Sequence, residues 1–87
     1  MKILRTTYLS LGSNVGKRLE NLQNAVNEIA DRIGHVMRVS SVYSSSSWGY
    51  EGEDFLNLCL EVSTSLSPEC LLEKILEIER ALGRNRK

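Results

Sequence analysis

Apolar positions along the chain follow two rhythms. From Thr6 to Leu11 they alternate weakly, with Tyr8, Leu9 and Leu11, and the segment reads as a first strand. Gly12-Ser13-Asn14-Val15-Gly16 breaks the pattern as a loop. Leu19, Leu22, Val26, Ile29 and Ile33 then recur at threes and fours, which predicts a helix from Arg18 to Ile33 with one apolar face. Gly34 is suited to end that helix in the left-handed conformation. His35 to Ser44 holds Val36, Val39, Val42 and Tyr43 and predicts a second strand, with His35 as a surface residue at its start. Phe55 to Thr64 sets Phe55, Asn57, Cys59 and Glu61 against Leu56, Leu58, Leu60 and Val62, a third strand with its apolar face on the even positions. Ser67-Pro68-Glu69 starts a second helix: Ser67 caps free amides, Pro68 suits the first helical position, and Glu69 suits the positive end of the dipole. Leu71, Ile75, Ile78 and Leu82 mark its apolar face and Gly83 closes it.

The order β-α-β-β-α predicts an α+β fold, a ferredoxin-like split βαβ arrangement whose final strand is absent from these residues. Two amphipathic helices on one face of the sheet bury both layers. Residues 1–87 read as one domain. Without a last strand, one edge of the first strand is unpaired, and this predicts self-association.

Composition narrows the function classes. Eleven basic and eleven acidic residues cancel. Long-range attraction to nucleic acid or to anionic membrane is not expected, and the strands lack the aromatic-rich motif of an RNA-binding sheet. The tight basic cluster is Arg84, Arg86 and Lys87. Cys59 and Cys70 form no Cys-x-x-Cys pair, and one histidine is too few for a zinc site. The expectation is two buried small apolar residues in a reducing compartment. The N-terminus lacks a signal-peptide pattern, and no apolar run is long enough to span a bilayer, so the default location is the cytoplasm.

Candidate chemistry clusters in the loops and on the third strand. Gly12-Ser13-Asn14-Val15-Gly16-Lys17 lies between strand and helix, where phosphate loops lie. It matches neither the P-loop nor the dinucleotide fingerprint, and a plain strand-to-helix turn uses the same residues. Phe55 and Asn57 share the strand face away from the helices; a ring that stacks beside an amide suits a flat heterocycle, and a solvated strand face suits the same residues. Ser44 to Asp54 is a long polar loop that could supply backbone groups to such a ligand, with Trp48 closing over it or tucked against the sheet. Glu79, Arg84 and Arg86 lie at or past the second helix end. Guanidinium groups there suit a polyphosphate, and cations favour a helix C-terminus in any case.

The ordered set of Tyr8-Leu9-Ser10-Leu11-Gly12-Ser13-Asn14, Val39-Ser40-Ser41-Val42-Tyr43, Phe55-Leu56-Asn57, Leu66-Ser67-Pro68-Glu69 and Ile78-Glu79-Arg80-Ala81-Leu82-Gly83-Arg84-Asn85-Arg86 resembles the 6-hydroxymethyl-7,8-dihydropterin pyrophosphokinase family over the N-terminal half of its usual length. The resemblance implies an enzyme of folate biosynthesis that transfers pyrophosphate from ATP to the hydroxymethyl group of a reduced pterin, releasing AMP. It implies that Asn57 hydrogen-bonds the pterin edge, Phe55 stacks on its ring, and Ser45, Ser46 and Trp48 line it through backbone contacts. Gly12, Ser13 and Asn14 would form a catalytic loop, Glu79 would lie near the nucleotide, and Arg84 and Arg86 would act catalytically on the phosphates.

Departures from the family pattern carry their own expectations. Ser45-Ser46-Ser47-Trp48-Gly49 stands where a Thr-Pro-Pro segment is usual, which loosens that loop. Leu76 stands where glutamine is common. The family's Asp-x-Asp pair for two magnesium ions follows the third loop and is not among these residues, so the chain is expected to hold no metal and to be inactive alone. A different class of reading is a non-catalytic ferredoxin-like module that binds a small heterocycle or a protein partner.

Overall fold

The computed structural model describes residues 3–14, 16–46 and 54–82. Its elements are β1 (Arg5–Ser13), α1 (Arg18–Arg32), β2 (His35–Val39), β3 (Tyr43–Ser45), β4 (Phe55–Thr64) and α2 (Pro68–Ala81). This is an α+β chain with one antiparallel sheet and both helices on the same side of it. β4 is central. β1 pairs along one side of it, from Arg5 opposite Thr64 to Ser13 opposite Leu56. β2 and β3 follow each other along the other side, with Val39 opposite Leu60 and Tyr43 opposite Asn57. Among the described residues β1 has no second neighbour.

The even positions of β4 make the core, as the alternation predicts. Leu58, Leu60 and Val62 are buried against Leu22, Ile29 and Ile33 of the first helical segment and Ile78 of α2. Leu9, Leu11, Val26, Leu71, Ile75 and Leu82 pack around them. Leu60 and Val62 are 1% and 0% exposed, and each such side chain is worth about 1.5–3 kcal/mol on burial. Ser67 caps α2 as its sequence predicts, its hydroxyl accepting from the Cys70 amide at 3.2 Å.

Five expectations are corrected. The second strand is two short ones rather than a run from His35 to Ser44. The register shifts between Val36 and Arg38, and Ser40 then binds Cys59 twice, its amide donating to the Cys59 carbonyl and its hydroxyl accepting from the Cys59 amide, both at 2.9 Å. A side chain thus occupies a rung of the ladder that a backbone carbonyl would fill, and pairing restarts only at Tyr43. Gly34 is not left-handed: among the described residues Gly16 alone has a positive φ, +62°. Gly34 is needed for contact instead, because a Cβ there would overlap the Ser63 carbonyl oxygen.

Leu19 lies 61% exposed, because the first turn of α1 reaches past the core and lines a shallow groove with Gly16, Gln23 and Leu56. The cysteines are not buried. Cys59 lies on the face of β4 that carries no helix, and Cys70 on the outer side of the first turn of α2; both are exposed free thiols. Finally, the strand pairing runs on into the predicted loops: Gly12 and Ser13 belong to β1, and Ser44 and Ser45 to β3.

The exit from α1 is locked to the end of β4. Thr64, 3% exposed, donates its hydroxyl to the Ile33 carbonyl at 2.7 Å and accepts from the Leu66 amide at 3.1 Å. This joint ends one helix and positions the start of the next, and so fixes where α2 lies relative to the sheet.

Candidate functional site

The face of the sheet opposite the helices is open among the described residues. Strand alternation presents Tyr8, Ser10 and Gly12 there from β1, Phe55, Asn57, Cys59 and Glu61 from β4, and Tyr43 and Ser45 from β3. Phe55 and Asn57 are therefore side by side on this face, as predicted, and each is half-buried.

Their neighbours explain that half-burial. Gly12 is directly opposite Asn57 in the ladder. A Cβ at residue 12 would lie 2.9 Å from Asn57 Oδ1 and 3.5 Å from Phe55 Cδ1. The glycine is thus required by close approach: its missing side chain is the space into which the amide and the ring lean. On the other side, Asn57 Nδ2 donates to the Ser45 hydroxyl at 2.9 Å and to the Tyr43 carbonyl at 3.4 Å.

A cavity of about 560 Å³ opens beside this pair. Ligand pockets are typically roughly 300–1,000 Å³. Its lining includes Leu9 and Leu11, which face the helices, and Ser10 and Gly12, which face away. The hollow therefore wraps around the outer edge of β1. At one end lie Ser45, Ser46, Phe55 and Asn57, and at the other Ile75, Ile78, Glu79 and Leu82 of the α2 region. An aromatic ring, an amide and hydroxyls at one end, with a carboxylate at the other, can seat a flat polar ligand and something longer beyond it.

The remaining predicted residues fall as follows. Ser13 is buried, and its hydroxyl accepts from Asn21 Nδ2 at 3.2 Å, which ties the end of β1 to α1. Asn14 is half-buried just past β1. Glu79 is exposed on α2 and lines the cavity. Trp48, Arg84 and Arg86 lie outside the described residues. Across the base of the loop, Arg18 donates to the Asp54 carbonyl at 2.7 Å, joining the start of α1 to the start of β4.

Sequence reading missed a second cluster on the open face. The Cys59 thiol lies 3.6 Å from the Ser10 hydroxyl and 3.8 Å from the Tyr43 hydroxyl. The hydrogen bond to Cys59, then the charge of that thiol, then slight desolvation raise the Tyr43 phenol above its ordinary value of 10.0. Beyond it, Glu61 accepts from Tyr8 at 3.3 Å and pairs with Arg38 at 3.2 Å. Only the register of β1 and β3 on β4 brings these residues together, and periodicity does not carry register.

The family model for 7,8-dihydro-6-hydroxymethylpterin-pyrophosphokinase matches residues 8–87. A 2-amino-4-hydroxy-6-hydroxymethyldihydropteridine pyrophosphokinase of Aquifex aeolicus is 40% identical over 82 residues, 93% of this chain and 51% of that protein. Proteins of the same name from Bacillus subtilis and Porphyromonas gingivalis are 43% and 38% identical, covering 91% and 92% of this chain. The chain spans about half the length of these curated relatives, 48–55%.

Proposed function

From the premise that the chain belongs to the 7,8-dihydro-6-hydroxymethylpterin-pyrophosphokinase family, we propose that it supplies the pterin-holding part of a folate-pathway pyrophosphokinase. The observation that carries this reading is the pair Phe55 and Asn57 leaning over Gly12 at the mouth of the cavity. A pterin ring stacks on Phe55 while its polar edge meets the Asn57 amide, and Ser45 and Ser46 line its rim. ATP is the co-substrate, lying towards Glu79, with Arg84 and Arg86 on its phosphates and Gly12, Ser13 and Asn14 bordering the point of transfer. Positioning is the main contribution available to this chain. It holds the hydroxymethyl oxygen near the phosphorus it attacks, and so converts an encounter into an intramolecular event.

Magnesium accompanies ATP in this family reading, and it neutralises phosphate charge when bound. Among the described residues no group of three or more His, Cys, Asp or Glu side chains lies together. These residues do not fit a two-ion site, and no step is assigned through the metal. We propose that the 87-residue chain, assayed by itself, lacks pyrophosphokinase activity. In the same reading the arrangement is a ferredoxin-like split βαβ. The protein is cytoplasmic, and the outer edge of β1 is a route to self-association. Among the described residues no helix is long and apolar enough to cross a membrane.

The test is calorimetric titration of the purified chain with 6-hydroxymethylpterin, with and without a non-hydrolysable ATP analogue and magnesium. Saturable binding that Asn57→Ala abolishes is expected. Binding indifferent to that change would remove the assigned pterin edge. AMP formed in step with pterin consumption would overturn the claim of inactivity.

A further inference from the structure

Asn57 is the polar centre of the site, yet its amide is only half available. The Tyr43 carbonyl, 3.4 Å away, has no proton to give, so the group facing β3 must be Nδ2 and not Oδ1. Nδ2 carries two N–H bonds, and both have acceptors: the Tyr43 carbonyl and, at the shorter 2.9 Å, the Ser45 hydroxyl. Among the described residues no hydrogen bond reaches Oδ1, which lies over the bare Cα of Gly12 at the cavity wall. Ser45 is diagonal to Asn57 across the β3–β4 ladder, since Tyr43 is opposite Asn57 and Ser45 is opposite Phe55.

We propose that Ser45 is a positioning residue: its hydroxyl holds the Asn57 amide in the orientation that the Tyr43 carbonyl sets, oxygen outward, so that Asn57 serves the ligand as an acceptor of N–H donors. This deepens the pterin reading and rests on it for the ligand's identity. A terminal amide has two nearly equal orientations about its last torsion. The Tyr43 carbonyl, an acceptor only, chooses between them, and Ser45 adds the second, shorter bond that holds the chosen one. A flipped amide would present N–H to a ligand edge that also carries N–H, and two donors repel. The site therefore takes a heterocycle whose facing edge bears ring N–H or amino groups. It rejects one whose facing edge bears only acceptors, because turning the amide would set Oδ1 against the Tyr43 carbonyl, which has no proton to give.

The test uses the ¹⁵N-labelled 87-residue chain, with the Asn57 side-chain NH₂ signals identified by their loss in Asn57→Ala. In the unaltered chain those protons should exchange slowly. Ser45→Ala should speed their exchange by about threefold to tenfold, the worth of one net hydrogen bond. It should weaken 6-hydroxymethylpterin binding, followed by pterin fluorescence, by a similar factor. Ser45→Thr, which keeps the hydroxyl, should restore both. A simple loss of packing would not be rescued in this way, and would not move the amide signals selectively. Unchanged exchange in Ser45→Ala, or a Ser45→Thr chain that behaves like Ser45→Ala, would overturn the proposal. If the unaltered chain binds no pterin while the exchange pattern appears as expected, the pterin reading fails and the positioning role of Ser45 stands.

Discussion

Gly12 and Asn57 stand opposite each other on neighbouring strands, and the amide oxygen of one occupies the room that the other's missing side chain leaves. The contact joins the first predicted loop to the third predicted strand, two segments that sequence order holds far apart. It makes residue 12 a constraint on the site rather than only a turn former, since its φ is not in the left-handed region.

Gly12→Ala should therefore injure the site more than the fold. The new methyl would lie 2.9 Å from Oδ1, and the amide, being a side-chain end, can swing away. Stability should fall by about 1–2 kcal/mol in urea denaturation. Pterin affinity should fall at least about tenfold, as expected when a polar group of the site is displaced. Unchanged affinity would mean that the Asn57 oxygen does not meet the ligand.

Gly34→Ala should do the reverse. Its Cβ would strike the Ser63 carbonyl and approach the Ser63 carbonyl carbon and the Thr64 Cα, each at 3.0 Å, and all of these are backbone atoms. Backbone does not yield as a side chain does. A loss of at least about 2 kcal/mol is expected, read as a lower urea midpoint with an unaltered slope.

Thr64→Val keeps the shape of a 3% exposed side chain and removes its hydroxyl. The Ile33 carbonyl then loses its donor and the Leu66 amide its acceptor. The expected cost is about 1–3 kcal/mol, and Thr64→Ser should recover most of it. An unaltered Thr64→Val beside a destabilised Thr64→Ser would assign the effect to the methyl group instead.

Tyr43 offers a pH signature. Its folded-state phenol is raised, chiefly by the Cys59 thiol, so the folded chain holds this proton more tightly than the unfolded chain does. The stabilisation is fully present below the ordinary phenol value of 10.0 and is lost as pH rises through the higher folded value. In a spectrophotometric titration, Tyr43→Phe should delete one tyrosine step, and Cys59→Ala should move that step down. A titration curve indifferent to Cys59→Ala would remove the thiol as the cause.

Much of this was legible in the sequence because burial writes a period. Leu58, Leu60 and Val62 at alternate positions, and Leu22, Ile29 and Ile33 at helical spacing, face one another as predicted. The same alternation put Phe55 and Asn57 on the open face before any coordinates. Three features escaped for a common reason. Ser40 breaking the second strand, Gly34 pressing on Ser63, and Tyr43 holding Asn57 all depend on which residue lies across from which. Pairing register is a tertiary quantity, set by the shared core and not by local pattern. The cysteines were misjudged because composition says that cysteines are usually inside, while position 59 falls on the odd face of its strand.

The two faces of β4 have an evolutionary corollary. One strand carries core side chains on even positions and the candidate site on odd ones, and every other strand in the described sheet is hydrogen-bonded to it. Substitutions along it can alter either face without touching the other. Gaining or losing a single residue in the middle of Phe55–Thr64 cannot, because every position on one side of the change exchanges faces, and core and site residues there trade places in the same event. Lineages descended from such a chain should thus drift freely in the composition of this strand while its length stays frozen. A library of single-codon insertions and deletions should recover almost no folded clones from this segment.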